Sequence, residues 1–170
     1  DDPAPDVHQV EGFFRHILER VDWRRDLHFQ TCTTIDTLDY SGGRINEGSK
    51  VVIAAAGRPI RSLPTDCDGL MLPEGLGFRN PRAAMPGVLV VEGPAYRADA
   101  PSAGTVERFC ESYRRDDAIC RFPLIVVVDR SDFAAANLEN FLWTTFTRSN
   151  PATDIYGIEP TTTEKHWGCA

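Results

Sequence analysis

Sliding the chain along itself by 128 positions brings Glu11 onto Glu139, Phe13 onto Phe141, Arg20 onto Arg148 and Asp26 onto Asp154. The same shift sets Asp1 on Asp129, Val10 on Leu138, Phe14 on Leu142 and Asp22 on Asn150, and the threonine-rich stretch 31–34 falls close to 161–163. These matches, gathered over about one helix without a gap, exceed what two amphipathic helices share through their hydrophobic period alone. A duplicated unit constrains the fold strongly, because whatever the first copy builds the second is expected to build too. The repeat also predicts unpaired pieces. Leu124 to Val128 lead into Asp129 while nothing leads into Asp1, and Gly48-Ser49-Lys50, which open a strand in the first copy, correspond to Gly168-Cys169-Ala170. On this reading the chain is a segment of a longer polypeptide, or another subunit supplies the missing strands. The expected organisation is a first unit at 1–57, a connecting α/β segment with a Pro/Gly-rich loop at 58–123, and a second unit at 124–170.

Hydrophobic spacing predicts the elements. Val10, Phe13, Phe14, Ile17, Leu18 and Val21 recur at the three- and four-residue steps of an amphipathic helix, with Asp6 placed to cap it. Val51 to Ala55, closed by Gly57 and Pro59, reads as a buried strand, as do Leu70 to Leu72 and Val88 to Val91. The prolines and glycines between Pro73 and Gly87 predict a surface excursion that can serve as a lid or contact surface. Val106, Phe109, Cys110 and Tyr113 outline a second helix, Leu124 to Val128 a strand, and Leu138 to Thr147 a third helix. Strands alternating with helices give an α/β fold class: a mainly parallel twisted sheet with helices on its faces, built from two related copies of one α/β unit.

Composition excludes several functions. With 170 residues, 42% of them hydrophobic, the chain can bury a core. A net charge of −7 with scattered arginines argues against a nucleic-acid partner. The longest apolar runs fall far short of the roughly 20 residues of a membrane helix, so no membrane span is expected. Cys32, Cys67, Cys110, Cys120 and Cys169 form an odd set without CxxC spacing, which reads as free thiols in a reducing, cytoplasmic setting.

Two stretches carry a family resemblance. Leu124 to Asp129, followed by Phe141-Leu142-Trp143-Thr144-Thr145-Phe146-Thr147-Arg148-Ser149-Asn150-Pro151-Ala152-Thr153-Asp154, resembles the UbiD-type carboxy-lyase pattern of valine-rich strand, acidic turn, Trp-bearing helix and R-x-D-P-x-x-D, with Asn150 in place of the usual Asp. The first copy keeps Arg20, Asp22 and Asp26 but has Trp23 where the family has Pro and Arg15 where it has Trp. Thr34 to Ser41, then Gly48-Ser49-Lys50, are similar to the family's T-P-I-D-x-L-D-F and G-S-K segments.

The resemblance implies the C-terminal region of a reversible, non-oxidative decarboxylase of aromatic or α,β-unsaturated acids. Its cofactor is prenylated flavin mononucleotide (FMN), held with a divalent metal and potassium. It implies a homo-oligomer, or a partnership with a catalytic domain that carries the acid–base Arg and Glu residues and the metal ligands. No catalytic residue and no metal ligand are therefore assigned to this chain. The region contributes a wall of the substrate pocket through the loop 35–40, with Ile35 and Leu38 facing it. The family's phosphate-binding base is expected just before the valine-rich strand, where this chain has Arg115-Asp116-Asp117-Ala118.

Asp36, Asp39 and Lys50 form a candidate polar site, although paired aspartates around a turn more often accept backbone hydrogen bonds. The run Gly43 to Lys50 misses the P-loop pattern, because Lys comes one place late and its order with Ser is reversed. His28 with Cys32, and His166 with Cys169, have zinc-compatible spacing but form single pairs. Arg20 with Asp26, and Arg148 with Asp154, are expected to make equivalent ion pairs that fix the turn after each helix. The alternative to a working lyase part is a non-catalytic binding or oligomerisation module that keeps the fold.

Overall fold

The computed structural model of the chain describes residues 4–34, 47–95 and 103–170. Helix α1 (Val10–Leu18) leads to strands β1 (Leu27–Thr33) and β2 (Gly48–Ile53), then to β3 (Arg79–Met85) and β4 (Val88–Glu92). Helix α2 (Ala103–Glu111) and a short 3₁₀ turn precede β5 (Leu124–Val128). There follow α3 (Ser131–Ala134), α4 (Leu138–Phe146), α5 (Pro151–Asp154), β6 (Thr161–Thr163) and β7 (His166–Gly168).

The class is mixed α/β, but the expected mainly parallel sheet does not form. Three small sheets are present among the described residues: β1-β2, β3-β4-β5 and β6-β7. Only β4 and β5 pair in parallel, in unbroken register from Val88 opposite Leu124 to Glu92 opposite Val128. Connection length explains the difference. Pro86-Gly87, with Gly87 at φ +80, turns β3 straight back into β4, whereas β4 reaches β5 through α2. Glu164 and Lys165, both at positive φ, similarly close β6 on β7.

The central sheet is buried on both faces, as continuous apolar strands require. Alternation sends Leu89, Val91 and Ile125 to one side, against Phe78, Phe109, Tyr113, Ile119, Phe122 and Ile158. Val88, Val90, Val126 and Val128 face the other side, against Leu18, Ala134 and Phe141. There α1 meets α4 through Phe14, whose ring lies edge-on to Phe141 with centroids 6.0 Å apart.

Several local expectations are corrected. Asp6 does not cap α1. Its carboxylate accepts the His8 N–H at 2.9 Å, capping a preceding turn, and Gln9 occupies the cap position with no side-chain bond. Leu70 to Leu72 is not a strand: Leu70 and Leu72 pack on the Phe109 core, Met71 is exposed, and its carbonyl accepts the Tyr113 hydroxyl. The excursion between Pro73 and Gly87 contains β3, an edge strand that tolerates Pro81 because a proline on an edge need not donate inward. The strand at Val51 forms, yet Val52 and Ile53 are exposed, since a two-stranded ribbon cannot enclose itself.

Gly12 is the third residue of α1, and a Cβ there would meet only the Gln9 Cβ, at 3.8 Å. Gly12→Ala is therefore expected to raise the unfolding free energy by about 1 kcal/mol, read as a higher urea midpoint.

Candidate functional site

The two motif-bearing turns have the same local structure. In the first, the Asp22 carbonyl accepts the N–H groups of Arg25 and Asp26 at 3.0 and 2.9 Å, and the Asp26 carboxylate accepts the Asp22 N–H at 2.8 Å. In the second, the Asn150 carbonyl accepts those of Thr153 and Asp154 at 3.0 and 2.9 Å, and the Asp154 carboxylate accepts the Asn150 N–H at 2.6 Å. In both, an Asp four residues on reaches back to the first N–H, a local side-chain to backbone bond.

The arginines are not equivalent. Arg20 is buried, donating to the carbonyls of Gly57 and His16 and pairing with Glu19 at 3.1 Å, while Asp26 pairs with Arg25. Arg148 is exposed, and the Asp154 carboxylate accepts from the Thr153 hydroxyl in addition to the Asn150 N–H. The expected pairs Arg20–Asp26 and Arg148–Asp154 are thus replaced by closer partners, because each aspartate is committed to its own backbone. Arg20 instead joins Arg61, which donates to the Leu18 carbonyl, at the C-terminal end of α1, where unpaired carbonyls and the helix dipole favour cations.

The turns also touch the other half of the chain. Ser49, from the G-S-K segment on β2, bonds the Asn150 side chain and accepts the Ala152 N–H at 2.8 Å. Reciprocally, Gly168 on β7 lies against the backbone of Trp23 and Arg24, and Cys169 donates to the Trp23 carbonyl. The motifs singled out in the sequence therefore meet at two junctions. Lys50 is exposed on β2, opposite Gln30. Ile35, Asp36, Leu38 and Asp39 lie outside the described residues.

A polar cluster not expected from the sequence stands at the carboxyl ends of β4 and β5. Buried Ser131 donates to the Asn80 carbonyl at 2.6 Å, and Glu92 collects the Asn80 amide, the Ser131 N–H and Arg79. Asp132 pairs with Arg82. The Asn80 hydrogen bond holds Glu92 below its usual range, and Arg82 does the same for Asp132, so both stay anionic and act as braces rather than proton donors. Asn80 at φ +52 adopts the left-handed backbone that Asn tolerates better than most residues, and this brings its amide to both carboxylates. The signal available in sequence was Ser131-Asp132 two residues beyond an apolar strand.

Among the described residues, no three His, Cys, Asp or Glu groups cluster to hold a metal. The His28 and His166 rings lie 5.7 Å apart, but burial pushes the Cys169 thiol up to about 11, opposite to the thiolate that a metal selects. Residues 115–117, where the phosphate-binding base is expected, are exposed and carry Asp116 and Asp117, and the Asp117 carboxylate accepts the Arg114 N–H. Arg115, also exposed, is the one base in this stretch. None of the described helices is long and apolar enough to cross a membrane.

Asp22 offers a pH-dependent test of the first turn. The Arg24 guanidinium, donating from both Nε and a terminal nitrogen, lowers the Asp22 carboxyl from 3.8 to about 2. A depressed folded-state value gives stability that is fully present above 3.8 and lost as the pH falls through about 2. Asp22→Asn is expected to make the acid limb between those values shallower in a pH-dependent denaturation series.

The family of 3-octaprenyl-4-hydroxybenzoate carboxy-lyase C-terminal domains matches residues 1–55. An uncharacterized protein of Chlamydia trachomatis serovar D is 33% identical over 155 residues, covering 91% of this chain and 24% of its own length. A Chlamydia pneumoniae protein, named as a subunit of 4-hydroxybenzoate decarboxylase, is 32% identical over 142 residues, covering 84% of this chain and 22% of its own. The chain thus spans about a quarter of the length of the curated relatives it matches. No solved structure matches it.

Proposed function

We propose that the chain, whose residues 1–55 match the C-terminal domain family of the UbiD-type carboxy-lyases, is the pocket-wall and assembly part of a reversible decarboxylase of aromatic or α,β-unsaturated acids. The observation that carries this reading is the junction of Ser49 with Asn150 and Ala152, which ties the matched region to the second motif stretch. Rigid support of this kind is what a wall formed by the loop 35–40 requires, because a binding surface is only as well placed as the elements beneath it. The chemistry belongs to prenylated FMN with its divalent metal and potassium, held by a catalytic domain, and this chain bounds the pocket. The expected setting is cytoplasmic.

The reading includes an internal duplication. Its support is the two nine-residue helices α1 and α4 at corresponding positions, the matching hydrogen bonds of the turns 22–26 and 150–154, and the reciprocal contacts of each turn with the opposite sheet. The acids at 116 and 117 favour a second reading, a non-catalytic module that keeps the fold.

Titrating prenylated FMN into the chain, alone and joined to a UbiD-type catalytic domain, separates the two. Flavin fluorescence that changes only in the joined protein, together with decarboxylase activity that Ile35→Asp or Leu38→Asp removes, supports the pocket wall. A joined protein whose activity ignores both substitutions leaves the module reading in its place.

A further inference from the structure

We infer that the groove between the C-terminal end of α1 and the segment 59–65 binds an oxyanion, a carboxylate or a phosphate, carried by a small molecule with an apolar body. The inference stands on this groove and is independent of the carboxy-lyase reading. A cavity of about 340 Å³ opens there, in the lower range of small-molecule pockets. Arg15 and Glu19 form one side, Arg61, Ser62 and Thr65 the other, and Leu63 and Pro86 supply apolar wall. The two sides are tied together before any ligand arrives. The Ile60 N–H donates to the Glu19 carbonyl at 2.8 Å, and the Gly87 N–H donates to the Pro64 carbonyl at 2.9 Å. A groove already shaped costs a ligand less ordering on binding.

The charges in the groove are unevenly matched. Glu19 is taken up by the protein itself: its carboxylate accepts Arg15 Nε at 2.8 Å and a terminal nitrogen of Arg20 at 3.1 Å, and these bonds, that of Arg15 first, hold it below its usual range. Arg61 has no such partner. One of its terminal nitrogens donates to the Leu18 carbonyl at 2.8 Å, and it makes no ion pair among the described residues. Burial pushes its pKa below the ordinary arginine value, with the charge of Asp22 opposing that shift. A half-buried cation bonded to a carbonyl dipole gains from an anion that enters beside it. Capping the Leu18 carbonyl engages one N–H and leaves the rest of the Arg61 fork for a ligand, and Arg15, committed through Nε, keeps both terminal nitrogens for the same use. Guanidinium donors of this kind match the paired oxygens of a carboxylate or a phosphate. Exposed Ser62 and Thr65 add hydroxyls at the rim, and Leu63 and Pro86 give the apolar body of the ligand a surface.

Titrating hexanoate, hexyl phosphate and hexanol into the chain at low ionic strength, followed by calorimetry and by the amide resonances of Ser62 and Thr65, tests the site. At least one of the two anions is expected to bind with a dissociation constant of about 1 mM or lower and to shift those amides, while hexanol at the same concentrations does neither. The tighter anion identifies the head group as carboxylate or phosphate. Its affinity should fall several-fold as salt rises from about 0.02 to 0.2 M, because the cations that hold it are open to screening. Arg61→Gln is expected to weaken that anion by roughly tenfold or more, and Arg15→Gln by roughly threefold or more, each with the circular dichroism of the parent. If Arg61→Gln disturbs the end of α1, Arg15→Gln, altered at a largely exposed side chain, and the amide shifts of the unsubstituted chain decide. Neither anion binding up to about 10 mM, hexanol binding as well as the anions, or an affinity unchanged in the folded variants overturns the inference.

Discussion

Arg20→Ala is expected to lower the unfolding free energy by roughly 3 kcal/mol, while Arg148→Ala should leave the urea midpoint unchanged within measurement scatter. The Arg20 side chain is 5% exposed and donates to two carbonyls contributed by different segments, His16 in the last turn of α1 and Gly57 beyond β2. Truncation leaves both acceptors without that donor in a place where water has little access, and such a loss costs more than the net worth of the bonds made. Glu19 is not stranded by the change, because Arg15 holds it at 2.8 Å, and the two backbone acceptors carry a large share of the cost. Arg148 falls on Arg20 when the chain is slid along itself by 128 positions, but it is exposed. Equal losses from the two substitutions would mean that the shared sequence position outweighs the different surroundings, and the structural account of Arg20 would fail.

That contrast illustrates what the sequence can carry. Helices α1, α2 and α4, and the strands at Val88 and Leu124, were legible because their apolar spacing is strong. The pairing between strands was not, since parallel or antiparallel order depends on how each connection runs. Pro86-Gly87 and Glu164-Lys165 are tight turns that no Asn-Gly or Asp-Gly pair announces. The partners of Arg20 and Asp26 were misread for a related reason. A carboxylate four residues from its own turn N–H needs no long side chain brought to it, so the local bond prevails over the ion pair that composition suggests. The Glu92–Ser131–Asn80 cluster was invisible because it joins positions some 40 to 50 residues apart through one left-handed Asn. The pocket positions Ile35 and Leu38 rest on resemblance alone and lie outside the described residues.

Gly168→Ala is expected to cost about 3 kcal/mol, the opposite sign to the glycine in α1. An added Cβ at 168 would stand 2.6 Å from the Arg24 Cα and 2.8 Å from the carbonyl oxygens of Trp23 and Arg24. All three neighbours are backbone, and the turn that carries them is closed by the Asp26 carboxylate, so it has no flexible end with which to yield. β7 must therefore move away from the turn. That movement weakens the Cys169 to Trp23 bond and pulls Trp167 from the Phe29 ring, which it meets edge-on at 5.7 Å. A lower urea midpoint accompanied by a shift in tryptophan emission is the expected result. Unchanged stability and emission would show that β7 does not rest on the first turn, and the proposed duplication would lose one of its two supporting junctions. The contact is informative because residues 24 and 168 come together only when the first turn and the last strand are packed as one body. A destabilised Gly168→Ala chain therefore reports on docking between the two halves, whereas a gain from Gly12→Ala reports only on one helix.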